Sequence, residues 1–277
     1  MGFLSASTGP EDDFRLLQSS KSPLLGICFK LDCYDRAGSL SSNACLNRRR
    51  ITMEDVRSLP IGGHLKYDLL EEIGQGTYGL VHRALETGRT DQYAVKIIED
   101  FEENIDEILA EYRILLEHSL HPNIPMLYGA YRVNNSVWYV MELCLHGPVS
   151  DIASALITRG RRFNEDQITF IIKETLHALI YLQQQLILHR DVKGSNILLT
   201  EDCEVKLVDY GVSCQLSGVE DKRRSRVGTP YWMAPEVILC GERDLEYDGR
   251  SDILTFITLR RVLSDVTGVT PGPWVSL

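Results

Sequence analysis

Apolar residues recur along this chain with two periods, and the switches between them outline its elements. Residues 67–70 read as a strand that enters Gly74-Gln75-Gly76-Thr77-Tyr78-Gly79. Residues 80–84 alternate as they leave it, and residues 93–98 form a third strand. Ile105, Ile108, Leu109, Tyr112, Leu115 and Leu116 then fall at helical spacing, so residues 104–117 predict an amphipathic helix. Glu111 lies at the edge of that apolar stripe and can face inward, whereas Glu107 points away. Residues 137–143 supply further apolar strand sequence. Asn164, with Gln167 three residues on, caps a helix over 165–184, and residues 205–208 predict another strand. Residues 1–64 carry Ser clusters and no sustained period, and read as a poorly ordered extension.

Composition narrows the function classes. With 44% apolar and 25% charged residues among 277, the chain is globular in character. Its 39 acidic and 29 basic residues give a net charge of −10. That charge repels a phosphate backbone or an anionic membrane, so neither nucleic acid nor lipid is an expected partner. No apolar run approaches the roughly 20 residues of a membrane helix. Seven scattered cysteines without CxxC spacing point to a reducing, cytoplasmic compartment. A zinc site from Cys28, Cys33 and Cys45 would lack a fourth ligand at the usual spacing.

The candidate chemistry lies in four short motifs. A GxGxxG run alone is weak, but here a strand follows it, as in a glycine-rich hairpin whose amides cover phosphates, with Tyr78 shielding them; a plain hairpin is the alternative. Lys96 sits on the third strand, where an ammonium can reach phosphate oxygens while pairing with Glu111. His189-Arg190-Asp191-Val192-Lys193-Gly194-Ser195-Asn196 puts a carboxylate, a cation and an amide in one loop, and Asp209-Tyr210-Gly211 adds a second carboxylate. Phosphoryl transfer needs such a set: an orienting group for the hydroxyl, a cation for the γ-phosphate, and hard oxygens for magnesium.

In this order the motifs resemble the protein kinase signature set. Gly228-Thr229-Pro230-Tyr231-Trp232-Met233-Ala234-Pro235-Glu236 has the form typical of sterile-20-like serine/threonine kinases. Ser58-Leu59-Pro60 and His121-Pro122-Asn123-Ile124-Pro125 are similar to the kinase domain of class III myosins. The resemblance implies an α+β, bilobal kinase-like fold over residues 65–252, with an N-lobe at 65–143, a partial C-lobe at 144–252 and a divergent tail at 253–277. It implies ATP and Mg2+ as cofactors, protein Ser/Thr hydroxyls as acceptors, and association with actomyosin or the cytoskeleton. Gly74, Gly76, Gly79, Val81, Ala94 and Lys96 would surround ATP, with Met141 as gatekeeper and Glu142 to Cys144 as the adenine hinge. Asp191 would orient the acceptor, Lys193 would steady the γ-phosphate, and Asn196 and Asp209 would bind magnesium. Ser225 sits where activation-loop phosphorylation would fall, within reach of Arg190; an unmodified serine is the alternative.

Two departures from the family pattern stand out. Tyr210 replaces the usual Phe, adding a hydroxyl that needs a partner in an apolar pocket. After Ser251-Asp252 the resemblance stops at about residue 253, which suggests a catalytically impaired, truncated isoform acting as a nucleotide-binding or interaction module as the alternative function. In that case Glu236 would be a buried unpaired carboxylate, and residues 253–263 could supply a surrogate helix. The acidic stretch at 97–117 and the basic run at 222–226 are expected to attract each other.

Overall fold

The alternation between residues 67 and 98 becomes three strands of one sheet: β1 (Tyr67–Gln75), β2 (Leu80–Glu86) and β3 (Gln92–Ile98). The computed structural model describes residues 51–264 except 77, 78, 219 and 244, so Cys28, Cys33, Cys45, Tyr78 and most of the expected extension and tail lie outside the described residues. Helix α3 (Ile105–His118) follows β3. Two short helices, α1 (Met53–Arg57) and α2 (Gly63–Lys66), precede β1. Strands β4 (Leu127–Val133) and β5 (Ser136–Met141) complete an antiparallel five-stranded sheet of order β1-β2-β3-β5-β4. β4 carries exposed Tyr128 and half-buried residues. Its side chains lack the continuous apolar character of β5, so the period there is faint.

One face of the sheet buries Tyr67, Ala84, Val95, Val133, Trp138 and Val140; the other carries Lys96 and Tyr139. Below it, β6 (Gly147–Pro148) leads into α4 (Val149–Thr158) and α5 (Glu165–Gln184). Asn164 Oδ1 accepts the Gln167 amide at 2.8 Å, and Gln167 Oε1 accepts the Asn164 amide at 2.9 Å. This reciprocal cap sets where α5 starts. Strand β7 (Ile187–Leu188) pairs with β10 (Cys214–Gln215), and β8 (Ile197–Leu199) pairs with β6 and with β9 (Val205–Leu207). Helices α6 (Pro235–Arg243) and α7 (Arg250–Ser264) complete the described chain.

Two expectations are corrected here and one is borne out. Residues 51–64 of the expected extension are built into the fold: Val56 is fully buried and Leu59 is buried, which local periodicity over so short a segment does not reveal. Residues 253–263 do form a helix, within α7, which packs on α5. Asp252, Thr255, Leu259 and Leu263 recur on one buried face of it. Glu236 is only half-buried, and Ser251 Oγ donates to it at 3.1 Å, so it is not an unpaired buried charge.

Candidate active site

The sheet register collects the first group of side chains. Gly74 pairs with Val81, Val81 with Lys96 and Lys96 with Tyr139, while Ala94 pairs with Met141. Directly opposed residues share a face, so Val81, Ala94, Lys96 and Met141 line one side of the sheet. The glycine turn lies over them. Gly76 N donates to Gly79 O at 2.8 Å, and a Cβ on Gly76 would lie 3.6 Å from Lys96 Cε. At Gly79 a Cβ would run into the Ile97 carbonyl oxygen.

Lys96 and Glu111 meet in the interior. Lys96 Nζ donates to Glu111 Oε1 at 2.8 Å, to Glu111 Oε2 at 2.7 Å and to Asp209 Oδ1 at 3.1 Å. Burial alone would favour loss of the ammonium proton, but the charges of Glu111 and Asp209 outweigh it and hold the Lys96 pKa above its ordinary range. Burial pushes the Glu111 carboxyl up, against the pull of Lys96. The result is an ammonium already fixed by two carboxylates at the mouth of the glycine turn.

The second group sits on the loop between β7 and β8. Asp191 Oδ1 accepts the Thr229 amide at 2.9 Å and its hydroxyl at 2.6 Å, and Asp191 Oδ2 lies 2.7 Å from Lys193 Nζ. Lys193 Nζ also donates to Thr229 Oγ1 at 2.9 Å. Burial disfavours the Asp191 carboxylate, but hydrogen bonds from Lys193 and Thr229 outweigh it and keep its pKa below the usual value. The loop's path is set from below, where Asp252 on α7 accepts the His189 amide at 2.8 Å and the Arg190 amide at 2.9 Å. Those two bonds hold Arg190 at φ 69°, a left-handed conformation that costs a non-glycine residue about 1 kcal/mol or more. Gly228 (φ 124°) packs so closely on this loop that a Cβ would strike the Arg190 carbonyl oxygen.

Hard oxygen ligands lie next to both groups. The β8–β9 pairing, continued by Val208 N donating to Asn196 O at 2.9 Å, brings Asn196 beside the residue that precedes Asp209. Asn196 Nδ2 is committed to the Asp191 carbonyl at 2.8 Å and to Asp191 Oδ2 at 3.1 Å, which leaves the amide oxygen as the atom that could face a cation. One carboxylate and one amide oxygen fit Mg2+, which is ordinarily held by one or two protein oxygens together with substrate phosphates. Among the described residues no group of three His, Cys, Asp or Glu side chains could hold a metal without such help.

The strand-end segment after Met141 is fixed differently from its neighbours. Glu142 Oε2 accepts the Met126 amide at 3.1 Å and lies 3.0 Å from buried Lys206 Nζ, so its side chain is spent on structure. Burial, aided by the Glu142 charge, pushes the Cys144 thiol up to about 12, which keeps it protonated. On the activation segment, Arg190 Nη1 donates to exposed Ser225 Oγ at 3.1 Å, and Tyr247 Oη donates to the Ser225 carbonyl at 2.7 Å. The attraction expected between the basic run and the acidic stretch is not what the structure pairs. Arg223 is bound to Asp221 at 2.7 Å and Arg224 to Glu246 at 2.6 Å, while Glu102 pairs with Arg57 at 2.9 Å. Nearer partners take up Arg223, Arg224 and Glu102.

Comparison with known families decides what this arrangement is. The protein kinase domain family matches residues 67–259. The chain belongs to the protein kinase family. It is 45% identical over 192 residues to human Myosin-IIIa, covering 67% of this chain and 12% of that protein. It is also 41% identical over 196 residues to Serine/threonine-protein kinase mig-15 of Caenorhabditis elegans, covering 68% of this chain and 18% of that protein. Misshapen-like kinase 1 of Rattus norvegicus is 42% identical over 194 residues, 68% of this chain and 14% of that protein. The kinase domain is thus of the sterile-20-like group, near those of class III myosins, and spans a small part of each relative. The family match runs to residue 259, past residue 253, where the resemblance read from the motifs stops.

Within this kinase domain, Asp252 and Lys206 escaped the motif reading as parts of the site, and His189 stood in a motif without a role of its own. His189 Nδ1 accepts the Asp191 amide at 3.2 Å, and its Nε2 lies 3.1 Å from the Val208 carbonyl, tying the two carboxylate-bearing loops together. The signal for Asp252 was available in principle: an acid at the start of an apolar i, i+4 series has to find donors once buried.

Proposed function

We propose that this chain is an ATP- and Mg2+-dependent serine/threonine protein kinase in which Asp191 orients the acceptor hydroxyl. The observation that carries the reading is the joint presence of the Lys96–Glu111–Asp209 cluster and the Asp191–Lys193–Thr229 cluster, the Asp191 loop being anchored by buried Asp252. Lys96 holds the α- and β-phosphates, and the backbone of 142–144 meets the adenine. Asp191, held below the usual carboxylate range, accepts the hydrogen bond of a Ser or Thr hydroxyl and so aims its oxygen at the γ-phosphate. Lys193 sets its positive charge where the transferred group gains negative charge. Asn196 and Asp209 would hold Mg2+, which when bound neutralises charge on the phosphates.

Regulation belongs to the same reading. Phosphate on Ser225 would meet the Arg190 guanidinium already 3.1 Å from its hydroxyl, ordering the segment through charge-assisted hydrogen bonds. Acceptor proteins of the cytoskeleton and a cytoplasmic, cytoskeleton-associated location are inferred from the likeness to Myosin-IIIa. Among the described residues no helix is long and apolar enough to cross a membrane.

Thermal unfolding with ATP and Mg2+ tests the nucleotide site. At 100 times the dissociation constant, stabilisation of about 2.7 kcal/mol is expected, and no shift at millimolar ATP would remove the nucleotide reading. Mass spectrometry after incubation with ATP and Mg2+ is expected to find phosphate on Ser225; phosphate on other residues with Ser225 bare would count against its regulatory role.

A further inference from the structure

Residues 51–62 lie outside the part of the chain that matches the kinase family, yet they are tied to the helix that carries Glu111. Thr52 N and Oγ1 both donate to Asp55 Oδ2 at 2.8 Å, closing the start of α1. The Arg132 amide donates to Pro60 O at 2.8 Å and Gly62 N donates to Arg132 O at 3.3 Å, with Ile61 bridging in parallel to Arg132. This adds an isolated parallel bridge to the free edge of β4. Arg132 Nη1 reaches back to the Arg57 carbonyl at 2.6 Å, so α1 and the strand edge form one fastened unit.

That unit rests on α3. Fully buried Val56 lies in α1, which contacts α3, and Arg57 Nη2 pairs with Glu102 at 2.9 Å just before α3 begins. Helix α3 has no side-chain cap of its own: Asn104 turns its amide back to the Glu99 and Asp100 carbonyls. External contacts therefore fix its N-terminal half. Behind it, Tyr112 stacks on Tyr139 at 6.0 Å, and Tyr139 Oη donates to the Ile108 carbonyl at 3.0 Å. Tyr139 is also the cross-strand partner of Lys96.

We infer that residues 52–62 are a brace that holds α3 where Glu111 meets Lys96, acting through Tyr112 and Tyr139. Val56 and Arg57 are positioning residues; neither touches the reacting groups. The brace concerns the resting geometry of the pair, so an inactive chain leaves its test intact.

The test is hydrogen–deuterium exchange on the full chain, read separately for residues 105–118 and for α5. Val56→Ala and Arg57→Glu are each expected to speed exchange in 105–118 about threefold or more while α5 stays at the wild-type rate. The double variant Arg57→Glu, Glu102→Arg is expected to restore the wild-type rate. Arg57 is exposed, so its variant folds even if Val56→Ala does not. Unchanged exchange in 105–118, or an equal rise in α5, would overturn the brace, because the segment would then add only general stability.

Discussion

Tyr210 shows how one atom is accommodated at a site built for its absence. Its ring is fully buried and lies edge-on to His189 at 5.1 Å, and its hydroxyl donates to the Leu207 carbonyl at 2.6 Å. The need for a partner was legible in the sequence; the partner was not, because it lies on the chain's own backbone three residues back. The bond ties the aromatic to β9 and so steadies Asp209, which sits beside it at φ 67°. Tyr210→Phe is expected to lower stability by about 1 kcal/mol in urea unfolding. An equal or higher stability would mean that the hydroxyl adds nothing to the fold. Glu111 was equally readable, since its wheel position sets it apart from Glu107. Thr229 was read only as a family marker, and its double bond to Asp191 depends on how the activation segment folds back, which no local pattern encodes.

Elements joined across the two lobes are where burial changes ionisation. His121, in the turn after α3, stacks on Tyr181 of α5 at 4.4 Å, and its Nδ1 accepts the Asn123 amide at 3.2 Å. Burial, helped by the neighbouring charges of His177, Lys206 and His118, lowers its pKa from 6.5 to about 4. A depressed pKa stabilises the fold fully above the unfolded value, and that contribution drains away as pH falls from 6.5 towards 4. At about 1.4 kcal/mol per pKa unit, the wild type is expected to lose about 2–3 kcal/mol over this window that His121→Gln does not lose. Parallel urea-unfolding curves for the two at pH 7.5 and 4.5 would refute this. Helices α3 and α5 and the central strands were legible because their periods are long and clean. Strand β4 was not, because its side chains are mixed and its partner β5 defines it.

For the whole molecule, the −10 net charge says less than its distribution. Arg223 and Arg224 of the basic run and Glu102, Glu111 and Glu117 of the acidic stretch pair with groups close at hand, which weakens the attraction between the two segments. The kinase fold was legible from motif order, which marks loops more sharply than periodicity marks elements. Its two ends were harder to read: residues 51–64 are too short to show a period, and α7 buries Asp252, Thr255, Leu259 and Leu263 where the motif resemblance has already ended. In the structure α7 places Asp252 beneath the loop that carries Asp191, and α1 contacts α3. The central claim, that these parts assemble a working phosphotransferase, is tested most directly by transfer of labelled γ-phosphate from ATP to protein Ser and Thr residues. Wild type is compared with Asp191→Asn at saturating Mg2+. The account predicts transfer by the wild type and a loss of about 100-fold or more in the variant, with nucleotide binding retained. Equal transfer by both, or none by a wild type that binds ATP, would contradict it.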